Sequence, residues 1–147
     1  MIRTTTLRKL QRRLYASPTE PKTICVDFDQ TICDSKYPEC GKPKPGARKA
    51  LLALKKMGFT IIISSCRSCG WNWDIYYAGS EFIPAKDRKV FKDMVAWLKK
   101  HKMPYDVVDD GTKGKVSASY YVDDKGVRYA NNWPEVLSTV ERLEKGK

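Results

Sequence analysis

The stretch "TICVDFDQTICD" (residues 23–34) decides how this chain is read. It opens as a short β-branched run, "TICVD" (23–27), which reads as a buried strand ending in a carboxylate. Asp27, Asp29 and Asp34 then fall within eight residues. Clustered carboxylates repel one another and are costly to desolvate, so a strand that ends on them asks for a compensating cation. The chain as a whole is basic, with 28 Lys+Arg against 17 Asp+Glu and a formal net charge of +11. The local concentration of negative charge therefore runs against the average.

Working outward, strand-like and helix-like segments alternate. "PGARKALLALKKMG" (45–58) is a helix, with Pro45 at its start, Gly58 at its C-cap and Ala47, Ala50, Leu51, Leu54 and Met57 on its apolar face. "FTIIIS" (59–64) is a buried strand. "RKVFKDMVAWLKKHK" (88–102) is a second helix, with Val90, Met94 and Leu98 in line and Phe91 and Val95 beside them. "YDVV" (105–108) and "SYYVD" (119–123) read as further strands, and "PEVLSTVERLEK" (134–145) as a closing helix. This order predicts an α/β fold: a three-layer α/β/α, Rossmann-like parallel sheet with helices on both faces. Right-handed crossovers then bring every strand C-terminus to one rim, where such sheets bind ligands.

At 147 residues the chain suits one domain, read as 23–147, preceded by a basic N-terminal segment, 1–22. Residues 1–22 carry six basic residues and one acid, with Leu7, Leu10 and Leu14 at helical spacing. Two readings stand: a basic arm or short amphipathic helix, or an organelle transit peptide. No run approaches the ~20 apolar residues of a membrane span. Five cysteines, an odd count without a secretory signal, favour a reduced intracellular and cytoplasmic setting. The positive charge favours anionic partners, nucleic acid among them.

Four signals converge on the predicted rim: Asp27, Asp29 and Thr31; Ser65 followed by Arg67; Lys115 in "GTKGKVSASYY"; and Asp123–Asp124 ending "YYVDD". Mg²⁺ is the hard, oxygen-seeking cation for such carboxylates, and it keeps positions open for phosphate oxygens. The four signals, in this order, resemble the haloacid dehalogenase-like (HAD) superfamily: "DFDQT" for its D-x-D-x-T motif, Ser65 in "IIISSCR", a lysine, and the final acidic pair. Gln30 stands where that motif more commonly has Gly.

The resemblance implies a Mg²⁺-dependent phosphohydrolase that cleaves a phosphate monoester through an aspartyl-phosphate. Asp27 is then the nucleophile, Asp29 the acid/base, Ser65 a phosphoryl hydrogen-bond donor and Lys115 the neutralising cation. Thr31 and Arg67 are substrate-binding, and Asp27, Asp29 (through its carbonyl), Asp123 and Asp124 surround the metal. Ser64 competes with Ser65 and Lys113 with Lys115; the spacing of "KVSASYYVDD" favours Lys115. Arg67 is equally open to a structural ion pair. The cap site between the first strand and the first helix holds only "CDSKYPECGKPKPGA", so the enzyme is expected to be capless, with a flap at most. Expected substrates are a nucleotide, a small phosphorylated metabolite or a nucleic-acid end. The alternative is a non-catalytic nucleic-acid- or protein-binding module on the same fold. Cys66 and Cys69 form a C-x-x-C, weak as a zinc signal beside Cys33 and Cys40. The aromatics Trp71, Trp73, Tyr76, Tyr77 and Phe82 are read either as a stacking surface or as a packed edge.

Overall fold

The computed structural model describes residues 22–70 and 82–147. The segments 1–21 and 71–81, which hold the basic arm and most of the Trp/Tyr stretch, lie outside the described residues.

Each apolar run predicted as a strand forms one. β1 (Thr23–Val26), β4 (Thr60–Ile63), β5 (Val107–Val108) and β6 (Tyr120–Val122) make a four-stranded sheet in the order β5-β4-β1-β6. All three pairings are parallel. Between β1 and the first helix, β2 (Cys33–Lys36) and β3 (Glu39–Pro43) form an antiparallel hairpin, the expected flap. The helices are α1 (Ala47–Lys56), α2 (Lys89–Lys100) and α3 (Trp133–Lys145). A parallel sheet flanked by these helices is a Rossmann-like α/β/α fold.

The core lies where β1 and β4 are central. Ile24 and Val26 of β1 and Ile61 and Ile63 of β4 are buried, as is Phe28 just beyond β1. Leu51 of α1 and Met94, Trp97 and Leu98 of α2 close over them. The Phe28 ring meets Trp97 edge to face at 5.2 Å, and the Trp97 indole N–H donates to the Gly41 carbonyl at 2.8 Å. That bond fastens the flap hairpin to α2. Ala50 and Met57, placed on the buried face of α1 by periodicity, are exposed. The β6–α3 edge differs. Tyr120, Tyr121 and Val122 are each largely exposed, and α3 has no fully buried residue.

Gln30 has φ 61°, the left-handed region in which glycine is at ease and other residues pay about 1 kcal/mol or more. The Gln30 side-chain amide donates to the Ser35 carbonyl, tying the turn to the flap. Cys33 is fully buried in the core under the same turn.

Candidate active site

Backbone bonds continue past the strands and fix the rim. The Asp27 N–H donates to the Val122 carbonyl at 2.9 Å, Ser64 N–H to Val26 at 3.0 Å, and Asp109 N–H to Ile63 at 2.8 Å. Asp27, Ser64, Asp109 and Asp123 therefore all stand at strand C-terminal ends on one side of the sheet. A cavity of about 570 Å³ opens there, lined in part by Asp27, Asp29, Ser64, Ser65, Asp123 and Asp124. Three of the four sequence signals thus contribute to one cavity, through Asp27 and Asp29, Ser65, and Asp123 and Asp124; Lys115 does not line it.

Carboxylate oxygens of Asp27, Asp123 and Asp124 lie within 4.8 Å of one another. Among the described residues this is the one such group of acidic, thiol or imidazole side chains; no three cysteines gather. Burial pushes the Asp27 carboxyl up to about 6, and the negative charges of Asp123, Asp124 and Asp29 push the same way. Thr31 does not line the cavity. Its hydroxyl donates to Asp27 Oδ2 at 3.3 Å and so orients the carboxylate.

Asp29 is held apart from this trio. Arg67 is fully buried, and its Nε donates to Asp29 Oδ2 at 2.9 Å and its Nη2 to Asp29 Oδ1 at 2.7 Å. Its Nη1 donates to the Pro38 carbonyl at 2.8 Å, and Nη2 also reaches the Glu39 carbonyl at 3.5 Å. Of the two readings of Arg67, the geometry matches the ion pair: its donors go to Asp29 and to the flap. Burial alone would raise the Asp29 carboxyl, but the Arg67 hydrogen bonds and charge outweigh it and hold the group below the usual carboxylate range. The Asp29 carboxylate is thus outside the acidic trio.

The two serines divide the work. Ser65 caps the short 3₁₀ turn Cys66–Ser68, accepting from the Arg67 N–H at 3.2 Å, and its hydroxyl lies 3.4 Å from Asp29 Oδ2. Ser64 donates to Asp109 Oδ2 at 2.9 Å. Both line the cavity. Asp109 accepts from the Gly111 N–H at 3.1 Å and so caps the turn that follows it, and it also anchors Ser64. That link joins strand ends 45 residues apart in the chain, and no local pattern announces it.

Lys115 lines a smaller cavity of about 200 Å³ that shares Asp27, Ser64 and Asp123 with the first. Its Nζ sits 5.1 Å from the Tyr121 ring centroid. Lys113 lines neither cavity. Six residues at the large cavity were not singled out as site residues from sequence: Gln30, Ser35, Tyr37, Cys66, Cys69 and Lys125. All but Lys125 belong to the turn, the flap or the C-x-x-C, segments whose position follows from tertiary packing.

Neither a family model nor a curated protein matches the chain. Among solved structures, a conserved protein from Bacteroides thetaiotaomicron superposes with a TM-score of 0.52 at 20% identity, over 84% of this chain and 92% of its own. A structural-genomics target from Vibrio cholerae gives a TM-score of 0.42 at 25% identity, over 83% of this chain and 98% of its own. The first likeness extends the α/β fold to a second protein. No helix among the described residues is long and apolar enough to cross a membrane.

Proposed function

We propose that this chain is a HAD-type phosphohydrolase acting on a phosphate monoester. The observation that carries the reading is the grouping of Asp27, Asp123 and Asp124 beside an open cavity that also receives Ser64, Ser65 and Asp29. Carboxylate oxygens are hard donors, and three of them in mutual repulsion fit Mg²⁺. The residues that would hold it are Asp27, Asp123 and Asp124, with the Asp29 carbonyl. Bound there, the ion would supply positive charge against the phosphate oxygens and the clustered acids.

The chain's own residues account for the rest. Asp27, oriented by Thr31, attacks phosphorus; the bond to the ester oxygen breaks, the departing oxygen takes a proton from solvent water and leaves as the alcohol, and an aspartyl-phosphate forms. Water then attacks that phosphorus, releasing phosphate and restoring Asp27. Asp29, kept ionised by Arg67, is in the base form that takes the proton from this water; the same pairing leaves it no proton for the departing alcohol, so only the base half of the expected acid/base role fits. Ser64 and Ser65 border the phosphoryl group, and Lys115 approaches from the adjoining cavity to offset its charge.

Hydrolysis of p-nitrophenyl phosphate tests this directly. Turnover is expected with Mg²⁺, none with EDTA, and a loss of at least about 10³-fold in Asp27→Asn, as for removal of a covalent nucleophile. Metal-independent turnover, or appreciable turnover by the variant, would reject it. The commitment of Arg67 to Asp29 rather than to an open phosphate position favours one second reading, a binding module on the same fold. That reading predicts nucleic-acid or protein capture with no release of phosphate from any ester.

A further inference from the structure

The flap carries an aromatic ring that the resemblance does not account for. Tyr37, at the turn of the β2–β3 hairpin, lines the same cavity as Asp27 and is 58% exposed. A lone exposed tyrosine needs no explanation, but this ring is anchored by a buried cation. The Arg67 guanidinium lies over the Tyr37 ring at 5.1 Å from its centroid and over the buried Phe28 ring at 5.3 Å, so one cation contacts both rings. The same guanidinium holds the carbonyls of Pro38 and Glu39, the two residues after Tyr37, and both oxygens of Asp29. Tyr37 is thereby referenced to the rim through one fully buried side chain. Pre-positioning of this kind lowers the ordering cost of a contact.

The cavity around it has a matching character. Away from the carboxylates its described walls are Gln30, Ser35, Tyr37, Cys66 and Cys69, none of them an acidic or basic residue, with Lys125 the one basic residue. Such walls receive a neutral, flat group better than a second phosphate. A volume of about 570 Å³ falls in the range that holds a whole small ligand.

We propose that Tyr37 is a specificity-determining residue, and that the cavity takes a phosphate monoester whose alcohol carries a flat aromatic group, such as a nucleoside, stacked on the Tyr37 ring. The proposal rests on the phosphohydrolase reading above and names its substrate class. An aromatic stacking contact with a base is worth about 1–3 kcal/mol, or roughly 5- to 150-fold.

The test pairs adenosine 5′-monophosphate with ribose 5-phosphate. Both present the same primary ester oxygen, so the base is what distinguishes them. In the full chain with Mg²⁺, the nucleotide is expected to have a kcat/KM roughly tenfold or more above that of the sugar phosphate, carried by KM. Tyr37→Ala should bring the ratio close to one, and Tyr37→Phe should keep it. A ratio near one in the wild type, or an unchanged ratio in Tyr37→Ala, would overturn the proposal. Calorimetric binding of the same two compounds to Asp27→Asn separates the two levels. A Tyr37-dependent binding preference without turnover of any ester would reject the hydrolytic reading and retain the stacking platform. Turnover without preference would reject the platform alone.

Discussion

The two sides of the rim present polar groups to one cavity but are built differently. On the flap side, Asp29, Ser65 and Arg67 are interlocked, and Arg67 is entirely buried against Phe28. On the β6 side, Asp123 and Asp124 are exposed, and Lys115 is held among the described residues by a contact with the exposed ring of Tyr121. The difference teaches that the fold pre-positions one half of the site by packing, whereas the other half carries charge without much support. A cation between Asp27, Asp123 and Asp124 would organise that second half.

The largest expected effect lies on the flap side. Arg67→Ala should lower the unfolding free energy by about 3–5 kcal/mol, because it strands a half-buried carboxylate and two flap carbonyls. Urea denaturation checks this, and a loss under about 1 kcal/mol would erase the contrast.

Asp27 stands between the two sides and should show the next largest effect, with the opposite sign. Its folded value near 6 lies above the ordinary 3.8, so its contribution to stability is fully present below 3.8 and is lost as pH rises through about 6. Without metal, Asp27→Asn should therefore be more stable than the wild type at pH 7.5, by about 1–2 kcal/mol after solvent screening, and the gain should vanish near pH 4. Denaturation in EDTA at both pH values measures it; an equal gain at both would contradict the electrostatic origin. Asp29 behaves in the reverse sense. Its lowered value contributes stability above the ordinary carboxylate range that is lost as pH falls through its folded value.

The smallest stability effect belongs to the β6 side. Lys115→Ala should change the unfolding free energy by no more than about 0.5 kcal/mol. Its turnover of an aryl phosphate should nevertheless fall by about 10²-fold. A large stability loss would show that this lysine is part of the scaffold rather than of the chemistry.

Most of the fold was legible because its strands are short, apolar and β-branched. "TICV" and "TIII" announce the two central strands, and the periodicity in 88–102 announces α2. Trp97 was missed as core because it sits off the Val90–Met94–Leu98 line, and only the approach of Phe28 and Gly41 buries it. The rim acids were legible because carboxylates directly after strands are costly without a purpose. An ion pair for Arg67 was readable only as one of two options, and its partner Asp29 not at all, since that depends on how the turn at Cys66–Ser68 faces the flap. Ser64 with Asp109, and Tyr37 over Arg67, were not readable at all: each joins distant segments through packing rather than pattern.

The most direct test of the central claim is chemical trapping of the nucleophile. Borohydride added during Mg²⁺-dependent turnover of an aryl phosphate reduces an acyl phosphate to an alcohol, so peptide mass analysis should find homoserine at position 27. Sustained turnover with Asp27 recovered unmodified, or the reduced residue found elsewhere, would contradict the account.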